Sequence, residues 1–256
     1  MSSHTDTVHR QFDPQAQAYL QSAVHATGPD LVRARERVAQ VPELAAARCL
    51  DLGTGAGHLS FALAPVVAQA VAADPSASML ATVMAAAAEK GLGNISTVQT
   101  RAESLPFPDA HFSLVASRYS AHHWLDLATA LHEMRRVTQP GGYLLLIDIE
   151  GDENALADTH LQAIELLRDR SHVRDRSPSE WTRLLSAAGF DRIEHESWPT
   201  RLEFGSWVTR MRTPEHLVSV LRQLQAEAPR EVQQALAIEA DGSFSPRTGL
   251  WWARAA

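Results

Sequence analysis

A short apolar segment that runs into a glycine-rich loop is the feature that most constrains how this chain folds. The segment reads Cys49-Leu50-Asp51-Leu52-Gly53-Thr54-Gly55-Ala56-Gly57-His58. Glycine at every second position lets the backbone turn sharply with a positive φ, and it lets a ligand lie directly against the main chain. The segment therefore predicts a strand-to-helix turn that binds a small molecule.

A second acidic residue strengthens this interpretation. The stretch Ala70-Val71-Ala72-Ala73-Asp74 predicts a strand that ends in a carboxylate, at the distance where nucleotide-binding folds hold ribose hydroxyls. The loop has the spacing G-x-G-x-G after an acid, whereas the dinucleotide fingerprint is G-x-G-x-x-G. A nicotinamide-dependent oxidoreductase stays open as an alternative, but the missing half of that fingerprint and the presence of Asp51 count against it.

Composition excludes several classes of protein. The 256 residues are 45% hydrophobic, enough to bury the core of one α/β domain. A net charge of −7 without any dense Lys/Arg block argues against nucleic acid as a partner. The single cysteine, Cys49, permits neither an internal disulfide nor a cysteine zinc cage. None of the 12 histidines has H-x-x-x-H spacing with an acidic partner, so the sequence predicts no metal.

The chain carries no pattern typical of a secretion signal or a membrane helix. Its first thirty residues lack an apolar core, and no apolar run of about 18 residues follows. The sequence therefore predicts a soluble, cytoplasmic protein without a membrane span.

Apolar runs and helical periodicity alternate through the first 150 residues. They predict strands near 48–52, 70–74, 95–99, 112–117 and 143–149, with helices near 57–68, 76–90 and 126–138. This alternation indicates an α/β fold with a doubly wound parallel sheet. Residues 14–40 have helical spacing interrupted at Gly28-Pro29, so residues 1–40 are predicted to form an N-terminal helical lid on a domain of residues 41–256.

The pattern changes after Glu150. A helix is predicted over 154–170, and Ser177-Pro178-Ser179-Glu180 has the form of a capping box that starts a helix over 178–188. A strand over 191–204 and a last strand over 249–253 enclose two short helices within 214–239. Because this insertion cannot extend the sheet, residues 204–240 are predicted to form a helical cap.

Four motifs in one order carry a family resemblance. They are Asp51-Leu52-Gly53-Thr54-Gly55-Ala56-Gly57, Asp74-Pro75-Ser76, Ala102-Glu103-Ser104-Leu105-Pro106-Phe107-Pro108 and Pro140-Gly141-Gly142-Tyr143. The set resembles the class I S-adenosylmethionine (SAM)-dependent methyltransferases, specifically the type 11 group that includes the ubiquinone and menaquinone biosynthesis methyltransferases. The resemblance implies a seven-stranded, mostly parallel, Rossmann-like sheet, with SAM as cofactor and S-adenosylhomocysteine as product.

The resemblance also implies roles for the cofactor-binding residues. Gly53, Gly55 and Gly57 would form the floor under the ligand, beside Thr54. Asp51 would orient the methionyl amino group, and Asp74 would accept hydrogen bonds from the ribose hydroxyls. The remaining residues implied near the cofactor are Pro75, Met79, Ala102, Glu103, Ser117 and Tyr19. Many relatives have an aspartate before the alanine that meets the adenine, but this chain has Arg101, so Glu103 or a main-chain carbonyl would substitute.

The loop Ser117-Arg118-Tyr119-Ser120-Ala121-His122-His123-Trp124 is predicted to face the reacting centre, beyond the carboxyl ends of the strands. The implied reaction is in-line displacement of the sulfonium methyl by an oxygen, nitrogen or carbon of a small-molecule substrate. His122 or His123 would serve as the base if one is used, because imidazole can lose its proton near neutral pH. A non-catalytic SAM-binding protein also stays open, as does a homodimer.

Overall fold

The computed structural model describes residues 3–12, 20 and 28–256, and within them a seven-stranded sheet forms the centre of the molecule. The strands are β1 (Arg48–Leu52), β2 (Gln69–Asp74), β3 (Ile95–Gln99), β4 (Phe112–Arg118), β5 (Thr138–Ile149), β6 (Phe190–Pro199) and β7 (Arg247–Ala255). Their order is β3-β2-β1-β4-β5-β7-β6. The first five strands are parallel, and β7 pairs antiparallel with both β5 and β6.

Helices cover both faces of this sheet. They are α1 (His4–Phe12), α2 (Pro29–Ala39), α3 (His58–Leu63), α4 (Ala77–Glu89), α5 (Leu127–Val137), α6 (Ala155–Arg168), α7 (Pro178–Ala187), α8 (Phe204–Arg210), α9 (Glu215–Ala226) and α10 (Arg230–Ala235). The α/β fold with a doubly wound, seven-stranded and mostly parallel sheet is therefore confirmed.

The alternation of side chains along the strands creates two cores. In β1, Leu50 and Leu52 point to the core that α5 and α7 cover, whereas Cys49 points to the core beneath α2, α3 and α4. Both faces of the sheet are thus buried, which explains why the strands read as continuous apolar runs.

Most predicted boundaries agree with the structure to within a few residues, because local signals set them. The capping box predicted at Ser177 is present: its hydroxyl accepts from Glu180 N, and the Glu180 carboxylate accepts from Ser177 N. Three boundaries were wrong. The helix predicted over 57–68 ends at Leu63, and a short 3₁₀ turn follows over Ala64–Val66. The strand predicted over 191–204 ends at Pro199, and residues 204–210 form α8. Strand β5 begins at Thr138, five residues before the predicted start, because Thr138 pairs with Phe112 across an irregularity in register.

The three helices between β6 and β7 pack mainly on α6. Their apolar side chains form a separate core with Leu161 and Ile164 of α6, to which Trp207, Leu221 and Val232 contribute. The inserted segment is therefore attached to the domain through an apolar face, and the chain at the end of α8 reaches the mouth of the sheet. Among the described residues, no helix is long and apolar enough to cross a membrane.

Candidate active site: a cofactor cavity joined to a histidine cavity

A cavity lies at the carboxyl ends of β1, β2 and β4. The glycine loop, the residues after β2 and the segment before β4 line it, and α1 closes one side through His4, Thr5, Val8 and Phe12. Helix α1 is held there in part by His4, whose Nε2 donates to the carbonyl of His123 at 2.9 Å. This is the position where open α/β sheets bind ligands.

Most of the predicted cofactor residues line this cavity. They are Gly53, Thr54, Gly55, Asp74, Pro75, Met79, Ala102 and Glu103. Asp51, Gly57 and Ser117 are not among the lining residues, and Tyr19 lies outside the described residues.

The glycines of the loop are required for two different reasons. A Cβ on Gly53 would lie 1.9 Å from Ser120 Oγ, so this glycine permits the close approach of the loop after β4. A Cβ on Gly57 would lie 2.7 Å from the Phe61 ring, which is also a packing constraint. At Gly55 no atom of the described residues lies within 4 Å of the added Cβ, and φ is +52°. Only at Gly55 would a new side chain enter the open space of the cavity.

Asp74 closes the glycine loop across the ends of β1 and β2. Its Oδ2 accepts from Gly55 N at 2.9 Å, and its Oδ1 accepts from Ser76 N at 2.9 Å. The carboxylate therefore lies beside the loop, where it can also accept from a ligand hydroxyl because each oxygen has two lone pairs. Ser76 in turn caps α4 by accepting from Met79 N, which fixes Met79 in the cavity wall.

Asp51 and Ser117 lie beneath the cavity wall. Asp51 Oδ2 accepts from Thr54 Oγ1 at 2.6 Å and from Ser60 Oγ at 2.7 Å, and burial raises the pKa of the Asp51 carboxyl while the Ser60 and Thr54 hydroxyls oppose that shift. Ser117 is fully buried and donates to the Leu52 carbonyl at 2.8 Å, which ties β4 to β1. Asp51 thus supports the loop, and Ser117 supports the sheet.

Arg101 and Glu103 lie together in the cavity wall. The Arg101 Nε is 3.6 Å from Glu103 Oε2, and both residues line the cavity. That Glu103 meets the adenine stays a prediction.

A second cavity adjoins the first, behind Phe12, Tyr119 and His123, which line both. Its other walls come from the loop after β4, the end of β5, α6 and the segment after it, and the chain from the end of β6 through α8. The lining residues are His122, Ile149, Glu165, Arg168, Asp169, His172, Asp175, Thr200, Leu202, Trp207, Arg210 and Met211. Gln11 of α1 donates through Nε2 to the Met211 carbonyl at 2.9 Å, so α1 and the end of the α8 segment meet at this cavity.

His122, which lines the second cavity, forms a close pair with the buried Asp148. His122 Nδ1 donates to Asp148 Oδ1 at 2.6 Å, and the backbone N–H of His122 donates to Asp148 Oδ2 at 3.2 Å. Burial lowers the pKa of His122, but the carboxylate charge of Asp148 and its hydrogen bond outweigh this and raise the pKa to about 9. His122 is therefore an imidazolium at neutral pH.

His123 is held differently. Its Nδ1 donates to the Ser171 carbonyl at 3.1 Å, and the edge of the Phe12 ring packs against its imidazole. Burial and the positive charge of His122 lower the pKa of His123 to about 4. The expectation that these histidines titrate near neutral pH is therefore wrong for both, because burial and mutual charge move their pKa values in opposite directions.

Sequence reasoning missed the partners that surround the two histidines. His172 donates through Nε2 to Gln162 at 2.9 Å, and its ring centre lies 5.8 Å from that of His122. Asp175 is buried, and burial raises the pKa of its carboxyl well above the ordinary value. In the sequence these residues belong to the mixed-charge stretch over 168–176, which is more typical of a solvated helix end than of a substrate contact.

His122, Asp148 and Asp175 bring one ligand atom each within 4.8 Å of one another, a separation that could hold a metal ion. His122 Nδ1 is hydrogen-bonded directly to Asp148 Oδ1, so these two atoms are engaged with each other. That no metal is bound stays a prediction from the sequence.

Comparisons with known proteins agree with the fold. A family model for the methyltransferase domain of type 11 matches residues 50–146. The chain is 45% identical over 195 residues to the uncharacterized protein YafE of Escherichia coli, which covers 75% of this chain and 93% of YafE. It is 35% identical over 206 residues to the uncharacterized methyltransferase YcgJ of Bacillus subtilis, covering 79% of each chain.

The crystal structure of YcgJ superposes with a TM-score of 0.81 at 31% identity, over 87% of this chain and 98% of that one. A third relative is the ubiquinone/menaquinone biosynthesis C-methyltransferase UbiE of Shewanella frigidimarina, with 38% identity over 122 residues, 44% of this chain and 49% of UbiE. The chain belongs to the SAM-dependent methyltransferases. Residues 50–146 match the type 11 model of that class, as the ordered motifs of the sequence indicate.

Proposed function

We propose that this protein transfers the methyl group of SAM to an oxygen, nitrogen or carbon of a small molecule bound in the histidine cavity. The observation that carries the proposal is the pair of adjoining cavities, which share Phe12, Tyr119 and His123. One is lined by the glycine loop and Asp74, and the other contains the His122–Asp148 pair. Two cavities that share a wall let a donor and an acceptor meet in line.

SAM supplies an activated methyl group when it is bound, so the protein's main task is to position the acceptor and exclude water. Holding two reactants in line can contribute about 7–11 kcal/mol. Gly53, Thr54, Gly55, Asp74, Pro75, Met79, Ala102 and Glu103 are proposed to hold the cofactor. Helix α1 and the end of the α8 segment cover the acceptor side, which supports the proposed roles of residues 1–40 as a lid and of residues 204–240 as a cap.

His122 is proposed to receive the proton that the acceptor loses. In this step the acceptor's electron pair forms a bond to the methyl carbon, the carbon–sulfur bond breaks, and its electrons stay on sulfur. Asp148 holds His122 by Nδ1, which leaves Nε2 to take the proton. Because the pKa of His122 is about 9, only its minor neutral form can act at pH 7, so the transfer rate is expected to rise with pH up to about 9.

The acceptor cavity favours a small molecule over a macromolecule. Its walls include the buried side chains of Trp207, Met211 and Leu202 from the inserted segment, and α1 closes it from the other side. A polymer could not thread between these elements without displacing them. Nucleic acid is disfavoured also by the net charge of −7.

Two measurements test the proposal. Isothermal titration with SAM, S-adenosylhomocysteine and NADH should show binding of the first two only. A panel of metabolites with ionisable hydroxyl, amine or activated carbon groups should then reveal release of S-adenosylhomocysteine, and His122→Gln should slow that release by about 10²–10⁴-fold. Binding of NADH alone would support the oxidoreductase alternative. SAM binding without turnover on any acceptor would support a non-catalytic SAM-binding protein.

A further inference from the structure

Asp175, in the segment after α6, is a buried acid that the proposed transfer does not use. It lines the histidine cavity and is 2% exposed. Gln162 of α6 fixes its backbone, since Oε1 accepts from Asp175 N at 3.0 Å and Nε2 donates to the Asp175 carbonyl at 2.9 Å. The carboxyl group takes no part in this pairing, and its Oδ2 has no hydrogen-bond partner within the described part of the chain.

The carboxyl group of Asp175 lies beside the proposed base. One of its oxygens, an oxygen of Asp148 and a ring nitrogen of His122 lie within 4.8 Å of one another. A second histidine nearby does not pair with it, because His172 Nε2 donates to Gln162 and lies 4.0 Å from Asp175 Oδ2. Burial lowers the pKa of His172 to about 2, so its ring is neutral and supplies no counter-charge.

The charges around Asp175 favour a cation. Burial raises the pKa of its carboxyl well above the ordinary value, and the charge of His122 opposes this shift. Three acids add to the shift: Glu165, Asp148 and Asp158. A positive charge brought beside Asp175 is therefore stabilised by several carboxylates, and it lets the Asp175 carboxyl ionise.

The cations that line the cavity already have partners. His122 is paired with Asp148, and Arg168 Nη1 lies 3.1 Å from Glu165 Oε2. Arg210, which also lines the cavity, makes a contact of its own. An anionic acceptor would have to displace one of these partners, whereas a cationic acceptor would meet the unpartnered carboxyl described above.

We propose that the histidine cavity binds an acceptor with an ammonium group, that the Asp175 carboxylate holds this group, and that nitrogen is the methylated atom. The inference rests on the methyl transfer of the proposed function and names the chemical class of the acceptor. The apolar side chains of Ile149, Leu202 and Met211 also line the cavity, and they suit the hydrocarbon part of a small organic amine.

His122 completes the chemistry of such an acceptor. An ammonium nitrogen has no free electron pair, so it must lose a proton before it can attack. The neutral form of His122 takes this proton. The pKa of His122 is about 9 and that of an alkylammonium is about 10, as in lysine, so the proton transfer is nearly balanced.

The electron pair of the neutral amine then forms the nitrogen–carbon bond, and the carbon–sulfur bond breaks with its electrons left on sulfur. The product is an N-methylammonium ion, and the proton on His122 returns to solvent. The Asp175 carboxylate faces an ammonium both before and after the transfer, so it serves as a binding group rather than as the base.

The test uses small molecules that share a skeleton and differ in one group. One set is benzylamine, benzyl alcohol and benzoate, and the other is butylamine, 1-butanol and butyrate. NMR titrations of the protein with S-adenosylhomocysteine present should show each amine binding about 10-fold or more tightly than its alcohol, the scale of a hydrogen bond to a charged group. The carboxylates should bind most weakly.

Variants of Asp175 assign this preference to its carboxylate. In Asp175→Asn the preference for each amine over its alcohol should fall to within about threefold, while retained affinity for the alcohols shows that the cavity is folded. Asp175→Glu keeps the charge on a longer side chain and should keep part of the preference. Asp191→Asn removes an exposed carboxylate on β6 and should leave the preference unchanged. If Asp175→Asn does not fold, the wild-type order of the three groups and the atom methylated still decide the question.

In the acceptor panel, S-adenosylhomocysteine should be released with amines, and NMR of the product should place the methyl group on nitrogen. Amines that bind no more tightly than their alcohols, an unchanged preference in folded Asp175→Asn, or turnover confined to oxygen or carbon acceptors would each overturn the inference. Failure of the wild-type protein to bind SAM or S-adenosylhomocysteine would instead overturn the proposed function.

Discussion

The His122–Asp148 pair gives the most direct prediction about the site, since it can be tested without knowing the acceptor. The substitution Asp148→Asn keeps the shape of the side chain and removes its charge. In the wild-type protein that charge and its hydrogen bond raise the pKa of His122 to about 9, against the opposing effect of burial. In the variant only burial and the remaining weaker interactions act, so the pKa of His122 should fall by about 2.5 units or more, to 6.5 or below.

This shift has a defined effect on stability. A histidine whose pKa is higher in the folded state stabilises the fold below its unfolded pKa of about 6.5, and that stabilisation is lost as the pH rises through 9. With about 1.36 kcal/mol for each pKa unit, a shift of about 2.5 units corresponds to about 3 kcal/mol. The difference in the free energy of unfolding between the wild-type protein and Asp148→Asn should therefore depend on pH. This difference should be about 3 kcal/mol larger at pH 6 than at pH 10.

Urea unfolding at the two pH values measures this difference, and NMR titration of the His122 ring gives the pKa directly. Glu89→Gln removes one exposed carboxylate far from the site and should not change the pH dependence. If Asp148→Asn shows the same pH dependence as the wild-type protein, or if His122 titrates near 6.5 in both, the charge coupling derived from the structure is wrong.

Four further predictions concern the cofactor cavity and its cover. Asp74→Ala should weaken SAM binding by about 1.5–3 kcal/mol in a calorimetric titration, the scale of hydrogen bonds to a charged group, and unchanged affinity in a folded variant would refute the ribose assignment. Gly55→Val should abolish the thermal stabilisation by SAM, since its side chain enters the cavity and resists a φ of +52°; a wild-type response would mean that the loop is only a turn. Gly53→Ala should lower the free energy of unfolding by more than Gly55→Ala does, because its Cβ would overlap Ser120 Oγ; equal losses by urea unfolding would contradict this. Hydrogen exchange with S-adenosylhomocysteine should protect residues 3–12 and 204–240 as well as the glycine loop, and protection confined to the loop would indicate that the inserted segment is a surface for a second copy.

Local signals in the sequence determined the sheet and its principal ligand cavity. Apolar runs, Gly91 after α4 and the capping box at Ser177 each depend on residues close together in the chain, so β1 to β4 and most helices could be placed from the sequence. The glycine loop and Asp74 could also be placed from the sequence, because each comes at the end of a predicted strand. Parallel strands bring their carboxyl ends to one edge of the sheet, so the two features were expected to lie together.

The chemistry of the second cavity was decided by contacts between distant segments. Asp148 reaches His122 from the next strand, and Ser171 reaches His123 from 48 residues away. Residue type alone indicated that His122 could act as a base near neutral pH. Its actual charge depends on burial and on which carboxylate lies beside Nδ1, and both are set by tertiary packing. The same holds for Gly53, whose missing side chain makes room for Ser120, a neighbour that no local pattern identifies.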